Sequence, residues 1–205
     1  MGGAAVAAVA VAALLIVLLT RGGSATPPPP TKASPTPVPT PTAQPLALLA
    51  TAATGSPVDG MQCASNETVA NRTTAHLAVY VSGTARQVPA GVGIASPSAP
   101  INTDAGPFVP SGLCYYPVLT HTSDGIIAVQ PPAKATYTLG NFFDLWGQQL
   151  SATQVGPETG TVTAYVNGSK YTGDPRTIPI TKHAVIQLDV GTDTAPVQFT
   201  FPPGD

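Results

Sequence analysis

Three segments of the chain alternate apolar and polar residues at period two and then stop at a turn. They read HLAVYVSG (76–83), TVTAYVNG (161–168) and HAVIQLDVG (183–191). Successive side chains of a β-strand point to opposite faces, so this alternation predicts strands that each bury one face. Asn167-Gly168 is a favoured two-residue hairpin turn, and Ser82-Gly83 predicts a second turn of the same kind. The pattern therefore limits the chain to a β-rich fold.

Further short apolar segments, bounded by proline and glycine, extend the strand prediction. They are RQVPAGVGI (86–94) as a hairpin partner, LCYYPVLT (113–120), GIIAVQ (125–130), ATYTL (135–139) and APVQFTF (195–201). Pro117 cannot donate a backbone hydrogen bond, so the second of these segments is expected at a sheet edge or at a bend.

One segment has helical rather than β spacing. TLGNFFDLWGQQL places Phe142, Phe143 and Trp146 at spacings of one, three and four, and Thr138 can serve as the N-cap. We predict a short amphipathic helix over 138–147 that packs on the sheet. The expected fold class is α+β, β-rich, with a mostly antiparallel sheet and this one helix; a β-sandwich is the alternative.

The first 57 residues differ in composition from the rest. Residues 2–20 contain no charge and are long enough to span a bilayer, so 1–25 is predicted to be a signal peptide or a signal-anchor transmembrane helix. Residues 26–57 are rich in Pro, Thr and Ala and are predicted to be a disordered spacer. The remaining 58–205 is predicted to be a single globular extracytoplasmic domain, held at the outer face of the cell membrane or secreted if the leader is cleaved.

The charge of residues 58–205 bears on the possible partners. This part contains six basic and ten acidic side chains, a formal excess of four negative charges. Binding to nucleic acid requires several cations on one face to neutralise phosphates, and no such basic stripe exists here. The composition therefore argues against a nucleic-acid partner. The partners expected are the membrane, through the N-terminal helix, and a cell-envelope component or another protein.

The chain contains two cysteines, Cys63 and Cys114. In an exported protein an even pair is most simply a disulfide. Two free buried thiols are the alternative, because the spacing alone does not decide between them.

No catalytic motif accompanies this organisation. The sequence has no G-x-S-x-G, no phosphate-binding loop and no paired-carboxylate motif. The three histidines, His76, His121 and His183, are the right number for a zinc or copper site if their rings converge. A lone histidine is more often a hydrogen-bonded structural residue, so both interpretations stay open.

The stretches THTSDGIIAV, TYTLGNFFDLWGQQL and VTAYVNGSKYTGDPRTIPITKHAVIQLDVG resemble a family of uncharacterised exported bacterial proteins. Its members carry an N-terminal membrane segment, a low-complexity spacer and histidine-rich motifs, with no established activity. The family pattern H-x-H-x-H-L matches Arg72, Thr74 and His76 here. The pattern L-H-T-H-D places histidine at Leu119 and His121, and G-I-I-H-I-E places one at Ala128. The resemblance implies a transition-metal face that this chain has largely lost.

These observations favour a non-enzymatic binding or interaction module displayed outside the cytoplasm, with no cofactor. The alternative is an envelope Cu or Zn binding protein with a reduced site at His76, His121 and His183.

Overall fold

The computed structural model describes residues 44–49, 52–103 and 106–204. The described part holds one α-helix, α1 (Leu139–Trp146), and short 3-10 helices at Val69–Asn71 and Pro175–Thr177. Its strands are β1 (Thr73–Val81), β2 (Thr84–Arg86), β3 (Ile94–Ala95), β4 (Ile101–Thr103), β5 (Gly106–Phe108), β6 (Cys114–Tyr115), β7 (Val118–Leu119), β8 (Ile126–Val129), β9 (Leu150–Ser151), β10 (Gln154–Val155), β11 (Glu158–Thr159), β12 (Val162–Val166), β13 (Ser169–Tyr171) and β14 (Val185–Val190).

The main sheet has seven strands and β1 at its centre. The strand order is β13-β12-β14-β1-β8-β7, and β2 pairs with β1 beyond the end of β8. All pairings in this sheet are antiparallel except that of β1 with β14, which is parallel over His76–Val81. The sheet is therefore mixed but mostly antiparallel, and with one α-helix the predicted α+β class is confirmed.

Both predicted hairpins are present. Ser82 and Gly83 join β1 to β2 with φ of 49° and 77°, and Asn167 and Gly168 join β12 to β13 with φ of 51° and 79°. Positive φ at both central positions is the type I′ geometry, whose twist matches that of the flanking strands. The second hairpin follows the favoured Asn-Gly signal, whereas the first holds serine in a conformation that glycine or asparagine adopts more readily.

The period-two alternation separates the two faces of the sheet. Leu77 and Val79 of β1 and Ile186 and Leu188 of β14 join the main hydrophobic core. The helix α1 packs in this core through Leu139, Phe142, Phe143, Leu145 and Trp146, all 0% exposed. Core packing is therefore confirmed as the role of this aromatic segment.

The helix begins and ends where the sequence predicts. The Thr138 side chain accepts from the Asn141 backbone, and the Asn141 side chain accepts from the Thr138 N–H, which is a reciprocal capping box. Gly147 ends the helix in the left-handed conformation with φ of 71°.

The packed domain begins earlier than the predicted boundary at residue 58. Leu46 and Ala53 are buried in the main core, and the Trp146 Nε1 donates to the Leu48 carbonyl at 3.1 Å. The last part of the predicted spacer therefore belongs to the folded domain. The predicted leader and the spacer up to residue 43 lie outside the described residues.

Cys63 and Cys114 form a disulfide, as predicted. It closes a loop of 51 residues and ties the segment before β1 to β6. In the loop-entropy model such a closure removes about 4 kcal/mol of chain entropy from the unfolded state.

Four predicted strands differ from the structure. The hairpin partner of β1 is Thr84–Arg86, so RQVPAGVGI contributes only Arg86 to β2 and Ile94 to β3. LCYYPVLT is interrupted at Pro117, so β6 pairs with β3 while β7 joins the main sheet. ATYTL makes an isolated bridge between Thr138 and Pro179, because Thr138 caps the helix instead. APVQFTF forms no strand, and its Phe199 stacks on His76 of β1, so the segment contacts a face of the sheet rather than its edge. Among the described residues, no helix has the length and apolar character needed to cross a bilayer.

We predict that Gly125→Ala strongly destabilises the fold. A Cβ at Gly125 would lie 2.4 Å from the Leu77 carbonyl oxygen, and the backbone φ is +86°. The matched control is Gly60→Ala, where φ is +75° but nothing lies within 4 Å of the added Cβ. Urea unfolding should show a loss of about 3 kcal/mol for Gly125→Ala against about 1 kcal/mol for the control. Equal losses would show that the close approach to Leu77 is unimportant.

Candidate functional site

A groove of about 600 Å³ opens beside the central strand. On this edge of β1, β8 pairs with Thr73–His76 and β2 pairs with Val79–Val81. Between these two partners no described strand lies beside this edge of β1, and the Leu77 N–H donates to the Gly125 carbonyl in the turn before β8 at 2.8 Å. The groove occupies this interruption, and we call it the sheet-edge groove.

The sheet-edge groove has one face from the sheet and one from the C-terminal segment 193–204, which we call the tail. His76, Ala78 and Tyr80 alternate with the core residues of β1 and therefore lie on its outer face. Phe199 and Pro202 of the tail line the other side. The lining is thus mostly apolar and aromatic, with a few polar groups, as in many small-ligand sites.

His76 is the sequence-predicted candidate that lies in this groove. Its side chain is 5% exposed, and its Nε2 lies 3.1 Å from the Asp124 carbonyl oxygen. A carbonyl oxygen only accepts, so Nε2 carries the proton and Nδ1 of the neutral ring is a bare acceptor. The Nδ1 is buried and has no hydrogen-bond partner among the described residues.

Burial also fixes the charge of His76. Desolvation lowers the pKa of its imidazole to about 4, against smaller opposing effects of the hydrogen bond to the Asp124 carbonyl and the Asp124 charge. The ring is therefore neutral at pH 7 and offers a lone pair, not a positive charge.

A series of aromatic ring contacts holds the tail over His76. Phe199 stacks on His76 with ring centroids 3.8 Å apart, and Phe201 meets Phe199 edge-on at 4.9 Å. His183 stacks on Phe201 at 4.6 Å. His183, a second sequence-predicted candidate, therefore holds the tail rather than facing the groove.

Buried polar groups of β14 hold the preceding part of the tail. Asp189 is 1% exposed and accepts from the Thr194 N–H and hydroxyl at 2.9 Å each. The Gln187 side chain accepts from the Val197 N–H at 2.8 Å and donates to Asp189 at 3.1 Å. Satisfied buried networks of this kind fix a segment in one position.

Arg86 supplies a positive charge at the groove. It is half-buried, and no hydrogen bond or ion pair joins its guanidinium to a residue that the structure describes. The nearby Asp124 carboxylate is engaged within its own turn, where Oδ1 accepts from the Thr122 hydroxyl at 2.6 Å and from the Ile126 N–H at 3.0 Å. Arg86 is therefore available to an anionic group of a ligand.

His121, the third candidate, lies elsewhere. Its Nδ1 donates to the Val109 carbonyl at 2.6 Å, its Nε2 lies 3.1 Å from Glu67 Oε1, and Phe108 stacks on its ring. The three histidines thus have three separate sets of contacts. Within the described ranges, no group of three or more His, Cys, Asp or Glu side chains is arranged to hold a metal ion. The three-histidine site has no assembled ligand set here and stays a prediction.

The positions at which the resembling family carries histidine lie side by side. Thr74 pairs with Ala128 across β1 and β8, and Ala128 pairs with Leu119 across β8 and β7. In this chain Leu119 and Ala128 pack with Ile94 and Val109 in a small second core. These two side chains have no metal-binding atom, so the face is used for packing.

Sequence reasoning did not identify Phe199, Arg86 or Glu67 as site residues. The i, i+2 spacing of Phe199 and Phe201 predicts a strand and gives no sign of a site. Arg86 and Glu67 had no motif around them, because their neighbours in space come from distant segments of the chain.

In comparisons with known proteins, no family model, curated protein or solved structure matches the chain. The likeness to the exported bacterial family therefore stays a prediction.

We predict that His76 makes the protein less stable in mild acid. Between the ordinary pKa of 6.5 and the folded value of about 4, the unfolded chain binds a proton that the folded chain does not. Stability therefore falls as the pH drops through this window, by roughly 3 kcal/mol from this residue. Unfolding free energies measured from pH 7.5 to 4 should show a weaker slope in His76→Gln.

The control for this prediction is Arg72→Gln, which changes an exposed side chain outside the groove lining. It should keep the wild-type slope. An unchanged slope in His76→Gln would mean that other groups cause the acid sensitivity.

Proposed function

We propose that the chain is a non-enzymatic, extracytoplasmic binding module, held at the membrane or secreted, that takes a small ligand in the sheet-edge groove. The observation that carries this proposal is the groove itself, with its aromatic wall and an Arg86 guanidinium that has no described partner. Its volume of about 600 Å³ is within the range of small-molecule sites.

The lining indicates the ligand class. Tyr80, Ile126 and Phe199 favour an apolar body, and the charge of Arg86 favours an acidic group. The bare His76 Nδ1 can in addition accept a hydrogen bond. The ligand proposed is therefore a small amphiphile with an apolar body and a carboxylate or a similar anion.

Binding fits the groove better than catalysis does. His76 has its Nε2 proton committed to a backbone carbonyl, and Asp124 has an oxygen engaged by two donors. A general base needs a free lone pair within reach of a substrate proton, with a pKa near the working pH. The low pKa of His76 makes it a weak base at pH 7.

We predict that the full chain binds decanoate and that it binds decanol more weakly, as measured by NMR chemical-shift titration. Resonances of Tyr80, Ile126 and Phe199 should shift. Arg86→Gln should weaken decanoate binding about tenfold, equal to about 1.4 kcal/mol, and leave decanol unaffected. The matched control, Arg72→Gln, changes an exposed arginine outside the groove lining. Equal affinity of wild type and Arg86→Gln for decanoate would remove Arg86 from the site.

The second candidate function is metal binding, and the lone pair on His76 Nδ1 is the observation that favours it. One neutral imidazole is a weak site, because zinc and copper sites generally use three or four protein ligands. We predict that Cu(II) and Zn(II) bind the purified protein no more tightly than about 10 µM by calorimetry. Tighter binding that His121→Ala abolishes would instead support the three-histidine site.

A further inference from the structure

Another cavity, of about 290 Å³, lies near the C-terminal end of β8, whereas the sheet-edge groove lies near its N-terminal end. The segment before β1 lines it through Met61 and Glu67, and the segment after β8 lines it through Gln130 and Tyr137. The disulfide between Cys63 and Cys114 ties two of its walls together. We call it the Glu67 cavity.

The Glu67 carboxylate is held from two sides. Its Oε1 lies 3.1 Å from His121 Nε2, and its Oε2 accepts from Gln130 Nε2 at 3.1 Å. The other ring nitrogen of His121 faces the Val109 carbonyl, which also only accepts. Both ring nitrogens of His121 therefore face acceptor oxygens. Both oxygens of Glu67 contact a neighbouring side chain, while the Glu67 side chain remains 20% exposed.

Gln130 lines this cavity, and its side chain contains an acceptor without a partner. Its side chain is 2% exposed, and its Oε1 is buried with no hydrogen-bond partner among the described residues. The contact with Glu67 fixes the orientation of the amide, because the flipped form would set its carbonyl oxygen against the carboxylate. A buried acceptor without a donor is costly, so this oxygen is a place where a bound donor group is strongly favoured.

The rest of the lining combines aromatic residues with the neutral polar residues Gln62, Asn66 and Thr68, and it carries no positive charge among the described residues. It includes Tyr115, Tyr116 and Tyr137 together with Pro117 and Pro132. The Tyr115 hydroxyl accepts from the Gly112 N–H, and that of Tyr116 donates to the Ser56 carbonyl, so these two are occupied. Tyr137 is half-buried at the cavity, and its hydroxyl makes no hydrogen bond to a described residue. Aromatic bodies with polar tips suit a ligand that is apolar on one side and hydroxylated on its rim.

From this arrangement we propose that the Glu67 cavity binds a neutral, hydroxyl-rich ligand of the size of one sugar ring. The hydroxyls donate to Glu67 and to Gln130 Oε1, and the tyrosine side chains pack against the C–H faces of the ring. Anionic ligands are disfavoured because no Lys or Arg among the described residues lines the cavity, and a cationic ligand is not required because both Glu67 oxygens already contact a side chain. This site is separate from the sheet-edge groove and does not depend on the function proposed for it.

The test titrates the full chain with methyl α-glucoside and with N-acetylglucosamine, followed by NMR. Ethanolamine and glycerol 3-phosphate serve as cationic and anionic probes. At least one of the two sugars should shift the resonances of Gln130 and Tyr137 and leave those of Phe199 unchanged. Shifts at this cavity with ethanolamine or glycerol 3-phosphate, and none with either sugar, would overturn the proposal.

Two cavity variants and one groove variant complete the design. Gln130→Met removes the unpartnered acceptor and keeps a side chain of similar size. Tyr137→Ala removes an aromatic side chain from the lining. Because Tyr137 is only half-buried, this second variant keeps the test valid if Gln130→Met does not fold. Each should weaken sugar binding at least about tenfold. Arg86→Gln should retain wild-type sugar affinity, which separates failure of this site from failure of the groove. Unchanged affinity in the folded cavity variants would overturn the proposal.

Discussion

The parallel pairing of β1 with β14 is the interaction on which the rest of the described structure depends. It joins the first long strand of the domain to the last one over His76–Val81 and Val185–Val190. The pairing makes β1 a central strand, so its inner residues reach the core that α1 covers. It also brings the chain that follows β14 back over the outer face, where Phe199 meets His76.

The two proposed sites share one physical feature, a buried acceptor without a donor. At the groove it is Nδ1 of His76, and at the Glu67 cavity it is Oε1 of Gln130. Leaving such an atom unsatisfied costs about 1 to 3 kcal/mol, which a bound donor or an ordered water recovers. In each case a hydrogen bond made by the other polar atom of the side chain determines which atom lacks a partner. These bonds join His76 Nε2 to the Asp124 carbonyl and Gln130 Nε2 to Glu67. The polar groups of the two sites therefore lie near the two ends of β8, while Ile127 and Ala128 in the middle of this strand pack in the hydrophobic cores.

Much of the local structure could be predicted from the residues alone. The helix over 138–147 was identified because Thr138, Asn141 and Gly147 supply caps at both ends of an apolar pattern. The Asn167-Gly168 hairpin and the disulfide were also predicted, since turn chemistry and an exported pair of cysteines are local or compositional signals. The candidate sites were predicted only in part. His76 was named, but as a metal ligand beside two histidines that the fold holds in other contacts.

The sequence by itself determined the β-rich class, the faces of β1 and β14 and the limits of α1, because these follow from period, caps and turns within a few residues of each other. Tertiary structure alone decided that β1 and β14 run parallel, that LCYYPVLT divides between two sheets, and that APVQFTF covers a face instead of adding a strand. The same holds for the partners of His121 and for the place of Arg86 at the groove. These features depend on which distant segments of the chain pair with a given strand edge or cover a given buried surface. Such long-range pairing produces no periodic pattern in the sequence.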